Sequence, residues 1–183
     1  MREDIEISTR RLQLRPFQLS DSADVASLAG DVEIYRATLT VPHPYSIGAA
    51  EQWIKRSHAS AEEGVGVCLA VTRKSDGVLV GAVSLSILKH HARGELGYWV
   101  GVPYWQLGYA TEAASATTHY AFETLALNKI TARHFLINPA SGRVLEKVGL
   151  VREGILRQEI LKEGKFHDIA VYGQLASARG GQD

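Results

Sequence analysis

The sequence predicts a single α/β domain, and three features of the chain indicate this class. Its 183 residues fit one domain and are enough to bury a sizeable core. Hydrophobic residues make up 45% and charged residues 22%, which is close to ordinary globular usage and excludes a disordered or fibrous chain. Strand-like and helix-like patterns also alternate along the chain. We therefore expect one domain over residues 1–178 and a flexible, Gly-rich tail at 179–183.

The first part of the chain predicts a strand followed by two helices. Residues 12–15 alternate apolar and polar side chains, as a half-buried strand does. Residues 21–24 offer a helix cap ahead of Val25. A second helix is expected to begin near Ser46, because apolar residues follow it at the spacing of one helix face.

The middle of the chain predicts three strands. Residues 67–72 and 78–87 are apolar runs rich in β-branched residues, and the Asp76-Gly77 pair between them is a strong hairpin signal. A third strand is expected at residues 95–100. These strands form the centre of the expected sheet.

Residues 101–114 follow the third strand, and turn residues there give way to an Ala-rich helical pattern. A tight loop at a helix start leaves backbone N–H groups unpaired, and the helix dipole adds partial positive charge. Such a loop suits a pyrophosphate, and Gly108 would let the backbone come close to that ligand. A Gly-containing turn is also often only a turn, so the neighbouring segments must decide between the two interpretations.

The last part of the chain predicts a strand and a capped helix. Residues 129–137 alternate as a strand does, and Asn138 is a good N-cap after them. Pro139 suits the first helical position, and Gly149 is expected to end the helix.

Charge and hydropathy exclude several classes of protein. Lys plus Arg and Asp plus Glu number 20 each, so the chain lacks the basic excess of a general nucleic-acid binder. No segment reaches the roughly 18 apolar residues of a transmembrane helix, and the charged start lacks the apolar stretch of a signal peptide. We therefore expect a cytoplasmic protein without nucleic-acid or membrane partners.

The histidines and the cysteine do not indicate a metal or thiol site. Cys68 lies in an apolar run and is expected to be a small buried residue of a strand. His119 and His134 fall on predicted regular elements without carboxylate or cysteine partners at metal-like spacing. No metal is assigned.

Two ordered segments resemble the acetyl-CoA motifs of the GNAT acetyltransferases. The first is Glu95-Leu96-Gly97-Tyr98-Trp99-Val100 followed by residues 104–113, and the second is residues 138–150. An opening stretch at 9–16 and a closing stretch at 164–172 look most like the branch that acetylates ribosomal proteins at N-terminal alanine or serine. Trp105 departs from the pattern, since the superfamily usually has Gln or Arg at that position.

The resemblance implies the GNAT fold and acetyl-CoA as cosubstrate. In that fold a mixed, twisted central sheet of about six to seven strands is flanked by about four helices. The strands at 95–100 and 129–137 would splay apart to hold pantetheine. The residues that the resemblance assigns to acetyl-CoA are Tyr98, Trp99 and Val100 on the strand, Gln106, Leu107, Gly108, Tyr109, Ala110 and Thr111 in the loop, and Asn138, Ser141, Arg143 and Lys147 on the later helix.

Acetyl transfer to an amine needs a group that takes a proton and a group that stabilises the departing thiolate. For the thiolate, Ser141 matches a serine that the ribosomal-protein branch places beside the sulfur. For the base, Glu95 would face the cleft if Leu96 faces the core, and could act directly or through water. Glu159 is a second candidate base, and Tyr172 is a candidate proton donor or a packing residue.

The acceptor amine is the least determined part of the function. Resemblance to the ribosomal-protein branch favours a protein or peptide N-terminus. A small-molecule amine or antibiotic is the alternative acceptor, and a non-catalytic acyl-CoA-binding module is an alternative of another class. An exposed edge of the C-terminal strand would be compatible with a homodimer.

Overall fold

The structure of the chain, a computed structural model, describes residues 5–179. The strands are β1 (Ile7–Ser8), β2 (Leu12–Pro16), β3 (Gly66–Arg73), β4 (Leu79–Leu88), β5 (Arg93–Val100), β6 (Lys129–Phe135), β7 (Val151–Lys162) and β8 (Lys165–Leu175). The helices are α1 (Ser22–Ala29), α2 (Val32–Ala37), α3 (Ile47–Glu62), α4 (Tyr109–Glu123) and α5 (Pro139–Val148). Residues 1–4 of the predicted domain and 180–183 of the predicted tail lie outside the described range.

The eight strands form one sheet in the order β1-β2-β3-β4-β5-β6-β8-β7. Neighbouring strands are antiparallel, with the exception of β5 and β6, which are parallel. A parallel pair needs a long crossover connection, and α4 supplies it here. The mixed sheet and the α/β class predicted from the sequence are therefore confirmed.

The structure contains more elements than the prediction of six to seven strands and about four helices. Within residues 5–179 there are eight strands and five helices. The extra elements include β1, with two residues, and α2, with six. Elements this short cannot display a hydrophobic period, so sequence patterns do not reveal them.

Each face of the sheet carries its own hydrophobic core. On one face, α4 and α5 cover a cluster that includes Leu12, Leu85 and Leu96. On the other face, α1 and α3 cover a cluster that includes Phe17 and the fully buried Ile54. Burial of one such side chain stabilises the fold by roughly 1.5–3 kcal/mol. Helices therefore cover both faces of the sheet. A ligand reaches the middle of the sheet through a space between the sheet and these helices.

Most predicted helix ends are confirmed. Ser46 caps α3 and Asn138 caps α5, each by accepting the backbone N–H three residues later. Gly149 ends α5 with a φ of +98°, which a residue with a side chain rarely adopts. Asp21, within the predicted cap of α1, differs: its carboxylate accepts hydrogen bonds from Arg15 instead. No helix in the described part of the chain is long and apolar enough to cross a membrane.

Candidate active site

The sheet opens between β5 and β6. These strands share four register pairs, the last of which joins Leu96 to Ala132, and beyond it they separate. The separation leaves the later half of β5 with a strand neighbour on its β4 side alone. The predicted splay of the two strands is thus present in the structure.

The main chain of Tyr98 and Val100 faces this opening. The N–H of Gly101 donates to the carbonyl of Val80 on β4, and main-chain groups point to alternate sides along a strand. The groups of Trp99 therefore face β4, and those of its two neighbours face the gap. Of the three strand residues assigned to pantetheine, Tyr98 and Val100 can offer strand-edge hydrogen bonds and Trp99 cannot.

The loop after β5 has the geometry of an anion-binding helix start. Gly108 has a φ of +80° and immediately precedes α4, whose first residue is Tyr109. Gln106 also has a positive φ of 63°. The first N–H groups of a helix have no intrahelical partner, so the N–H groups from Tyr109 onward point out of the helix end. Gln106, Leu107 and Gly108 are exposed in front of it.

Distant residues hold this loop in place. Arg11 donates from Nε to Glu112 Oε2 at 2.7 Å and from Nη1 to the carbonyl of Leu107 at 2.9 Å. Thr9 donates its hydroxyl to Glu112 Oε1 at 2.6 Å. Burial by itself would raise the pKa of Glu112, but the hydrogen bonds from Thr9 and Arg11 outweigh it and lower that pKa. The turn between β1 and β2 therefore anchors the first turn of α4.

Trp105, the residue that departs from the family pattern, is a second anchor of the loop. Its indole N–H donates to the carbonyl of Val100 at 2.6 Å. This bond joins the end of β5 to the loop and occupies one acceptor site of a carbonyl beside the gap. A Gln or Arg side chain at this position could make the same donation, so the departure preserves a donor.

The start of α5 lies opposite β5 across the opening. Asn138 is engaged at both ends of its carboxamide: Oδ1 accepts from the N–H of Ser141 at 3.3 Å, and Nδ2 donates to the carbonyl of Ala37 at 3.2 Å. Arg143 and Lys147 are exposed, one turn apart on α5. Asn138 thus positions α5 against the end of α2.

Two hydroxyl groups meet at the opening. Tyr98 Oη lies 2.9 Å from Ser141 Oγ and 3.1 Å from the carbonyl of Ser141. Burial raises the pKa of Tyr98 to about 12, more than the hydrogen bond to Ser141 lowers it. The phenol is therefore protonated at neutral pH. Its single hydrogen can go to the Ser141 carbonyl or to Ser141 Oγ, and in the second case the serine hydrogen is available to a third group.

The Tyr98 side chain is a feature of the site that the sequence analysis missed. The resemblance to the GNAT family assigned backbone contacts alone to this residue. The alternation of side chains along β5 could have revealed it. Leu96 and Tyr98 are two residues apart, so both side chains lie on the face toward α5.

The opening is part of a cavity of about 730 Å³ that runs from Ser141 on the α5 side to the α3 side of the sheet. Small residues at matched register form its floor: Cys68 pairs with Ser84, which pairs with Gly97. Residues 37–42 and the α3 residues Gln52 and Arg56 line its walls. Burial raises the pKa of the Cys68 thiol to about 12, so it remains a neutral floor residue rather than a reactive thiolate.

Glu95 lies in the wall of this cavity. Leu96 is buried in the core, so the condition for Glu95 to face the cleft is met. The carboxylate accepts a hydrogen bond from Arg133 Nε at 2.9 Å, and both side chains are more than a third exposed. Glu95 thus stands on the α3 face of the opening, while Ser141 stands on the α5 face.

Glu159 does not border the cavity as the sequence analysis expected. It is an exposed residue in a bulged part of β7, where the register with β8 shifts between Leu156 and Ile160. β7 is also the outermost strand, separated from β6 by β8. The bulge could not be read from the sequence, because β7 advances four residues from Leu156 to Ile160 while β8 advances two, and such a shift leaves no compositional trace.

Tyr172 is a buried packing residue. It is 4% exposed, donates to Glu146 Oε1 at 3.3 Å and stacks near the ring of His134. Within residues 5–179 there is no cluster of three or more His, Cys, Asp or Glu side chains that could hold a metal ion.

The arrangement fits a ligand with an extended amide arm and a pyrophosphate. The unpaired edge of β5 can bind the arm as an added strand would, and the start of α4 can bind the phosphates. The cavity on the far side leaves room for a second substrate, which reaches the first through the opening. Such a site can transfer a group directly from one ligand to the other.

Comparisons with known proteins agree with this geometry. A family model described as an acetyltransferase (GNAT) domain matches residues 11–151. The uncharacterized N-acetyltransferase YoaA of Bacillus subtilis is 31% identical over 167 residues, or 91% of this chain and 94% of that protein. YdaF of the same organism, a candidate ribosomal N-acetyltransferase, is 34% identical over 101 residues, or 55% of each chain. The ribosomal-protein-S5-alanine acetyltransferase of Vibrio fischeri has the same fold, with a TM-score of 0.84 at 20% identity over 94% of this chain and 97% of that one.

Proposed function

This chain belongs to the GNAT acetyltransferase family and is an N-acetyltransferase, and we propose that its acceptor is the amino terminus of a protein or peptide. The observation that carries the proposal is the continuous passage from the Tyr98–Ser141 pair to the open cavity under α3. An acceptor terminus can enter from the α3 side while the acetyl donor lies on the α5 side. Two similar proteins, YdaF and the Vibrio fischeri enzyme, carry names that specify ribosomal acceptors.

GNAT enzymes take the acetyl group from acetyl-CoA, and the splayed sheet offers it a binding site. In our proposal the main chain of Tyr98 and Val100 pairs with the pantetheine arm, and the indole of Trp99 contributes to the cavity wall. Asn138 orients α5 beside the arm. The loop residues proposed to contact the pyrophosphate are Gln106, Leu107, Gly108, Tyr109, Ala110 and Thr111. Arg143 and Lys147 are the cations proposed for the adenosine phosphate.

The acceptor amine must lose a proton before or as it attacks the thioester carbonyl. Glu95 is the proposed proton acceptor, directly or through a water, because its carboxylate lies in the wall of the acceptor cavity. The Arg133 guanidinium holds that carboxylate toward the opening. Transfer is direct, so no acyl group is attached to the protein.

Departure of the thiolate is assisted by the hydroxyl pair. Tyr98 donates to Ser141 Oγ, and Ser141 donates to the sulfur on which negative charge develops. Because burial keeps the phenol protonated at neutral pH, Tyr98 can orient the serine hydrogen across the working range. Ser141 is thus the proposed catalytic donor, and Tyr98 is the residue that positions it.

The test is thiol release from acetyl-CoA in the presence of three sets of acceptors: peptides with free N-termini, the same peptides with blocked N-termini, and small amines including polyamines. We expect release with the free peptides, and mass spectrometry should locate the acetyl group on the α-amine. Turnover confined to small amines would contradict the peptide acceptor. Saturable acetyl-CoA binding without release on any amine would favour a non-catalytic module.

A further inference from the structure

The acceptor cavity contains an unmatched positive charge. Arg56 lies in its α3 wall, one helical turn after Gln52. In the part of the chain that the structure describes, no carboxylate comes within 4 Å of the Arg56 guanidinium. Burial raises the pKa of Tyr45, which lines the same cavity, and the charge of Arg56 opposes that rise.

The other charges of the cavity wall cancel each other. Arg133 and Glu95 form an ion pair at 2.9 Å, and the remaining formally charged residue in the wall is Arg56. With histidine neutral, the wall thus carries a net charge of +1. Complementary charge raises the affinity and the association rate of a ligand, whereas like charge excludes it.

From this charge pattern we propose that the acceptor carries a carboxylate near its reacting amine and that Arg56 binds this carboxylate. The inference rests on the proposed acetyl transfer and specifies its substrate class. A polyamine or an aminoglycoside fits less well, because the wall offers its extra positive charges no carboxylate beyond Glu95, which already pairs with Arg133 and serves the reacting amine. Arg56 is then a specificity-determining residue.

The fold also sets the distance between the carboxylate and the amine. α3 packs on β3, while the reaction opening lies beyond β5. Two strand spacings separate β3 from β5, which is roughly 10 Å. An extended peptide covers about 3.3–3.6 Å per residue, so the carboxylate belongs to the second or third residue of a peptide acceptor. A small amino acid derivative with an equally long spacer would present the same chemistry.

The experiment measures kcat/KM for peptides that share an N-terminal serine and carry Asp, Asn or Lys at the second or third position. A matched pair of small amines, one with a terminal carboxylate and one with the corresponding carboxamide, distinguishes a peptide carboxylate from the carboxylate of a small molecule. We expect the Asp peptides to exceed the Asn peptides by about fivefold, the upper range for a partly exposed ion pair. A preference confined to the small amines would assign the carboxylate to a small molecule instead of a peptide.

Variants assign the preference to Arg56. Arg56→Gln should bring the Asp to Asn ratio close to one, and Arg56→Glu should favour the Lys peptides. Lys55→Gln is the matched control, because Lys55 is exposed on the same helix, as Arg56 is, but lies outside the cavity wall. It should keep the wild-type ratio.

Three outcomes would overturn the proposal. One is turnover without any preference for acidic acceptors, and the second is a preference that survives in Arg56→Gln. The third is efficient acetylation of spermidine by the wild-type enzyme. Absence of thiol release with every amine would instead overturn the acetyl transfer on which the proposal rests.

Discussion

The two faces of the opening are built in different ways. On the α5 side, the groups that can meet acetyl-CoA are mostly main-chain N–H and C=O groups of β5 and of the start of α4. On the α3 side, side chains form the site: the small floor residues, the Glu95–Arg133 pair and Arg56. Main-chain groups are common to all sequences with this fold, whereas side chains change from one relative to the next. In our proposal the acetyl-CoA site thus depends mainly on main-chain groups and the acceptor site mainly on side chains, on opposite faces of one sheet.

Variants that separate the two faces test this comparison. Changes on the α5 side should affect every acceptor equally. Changes on the α3 side should depend on which acceptor is used.

The largest effect is expected from Ser141→Ala. Loss of the hydroxyl beside the sulfur should lower kcat by about 10²-fold, at the lower end of the range for general acid catalysis. The KM for acetyl-CoA should stay nearly unchanged, because the main-chain contacts remain. Steady-state kinetics with two different acceptors would measure both constants.

Tyr98→Phe should act through the same hydroxyl, so the double variant should lose little more than Ser141→Ala alone. Independent, multiplying losses would show that the two residues do not act as a unit.

Gly108→Val is expected to have the opposite kinetic signature. A β-branched residue is strained at a φ of +80°, and an added Cβ would lie 3.3 Å from Arg11 Nη2. Strain of about 2 kcal/mol corresponds to a rise of about 30-fold in the KM for acetyl-CoA. Gly77→Val is the matched control, since Gly77 has a φ of +71° in a hairpin with no neighbour within 4 Å of the added atom. An equal rise in both variants would indicate general strain rather than a damaged phosphate site.

Glu95→Gln should have a smaller effect, because water can partly replace a carboxylate as proton acceptor. We expect kcat to fall by about tenfold, and more for acceptors whose amines hold their proton more strongly. Glu159→Gln is the matched control, since that residue lies on the bulged outer strand away from the cavity. A pH–rate profile for the two variants and the wild type would check this. Equal rates for Glu95→Gln and the wild type would remove Glu95 from the mechanism.

The smallest effect concerns stability rather than catalysis. The pKa of Glu112 is lowered in the folded state, so its charged form stabilises the fold above the ordinary carboxyl range, and this contribution is lost as the pH falls through the folded pKa. Glu112→Gln should cost about 1 kcal/mol of unfolding free energy at pH 7, after discounting for the partly exposed Arg11 partner.

Urea unfolding from pH 7 to pH 3 would measure this contribution, and the curves of the variant and the wild type should converge at the acidic end. Glu33→Gln serves as control, because its pair with Arg36 is exposed. A pH-independent difference for Glu112→Gln would contradict the linkage.

The parts of the fold that were predicted from the sequence depend on local signals. Asn138, Pro139 and Gly149 predicted α5 because caps act within a few residues of a helix end. The hairpin at Asp76-Gly77 was recognised for the same reason. The proposed acetyl-CoA site could be predicted for the same reason, because its strand, tight loop and helix start follow one another in the chain.

The parts that were missed depend on residues that are far apart in sequence. Arg11 and Glu112 are 101 positions apart, so nothing local to either residue indicated their ion pair. The candidate base Glu159 was placed wrongly because β7 is the outermost strand and its register is bulged at this residue. Arg56 lines the cavity because α3 packs on β3, and this packing could not be read from the residues near Arg56 in the sequence. A cavity assembled from α3, four strands and the segment 37–42 leaves no continuous motif to recognise.

The short parallel contact between β5 and β6 has a mechanical consequence. These strands share four register pairs, whereas β4 and β5 share eight and β6 and β8 share seven. Parallel pairing is also slightly weaker per residue, so the interior of the sheet should part more readily between β5 and β6 than between either strand and its other neighbour. An acetyl-CoA molecule that binds both separated edges would hold the two strands together. Amide hydrogen exchange along β5 and β6 would then slow as acetyl-CoA is added, so the rigidity of the enzyme would report the supply of the metabolite that it consumes.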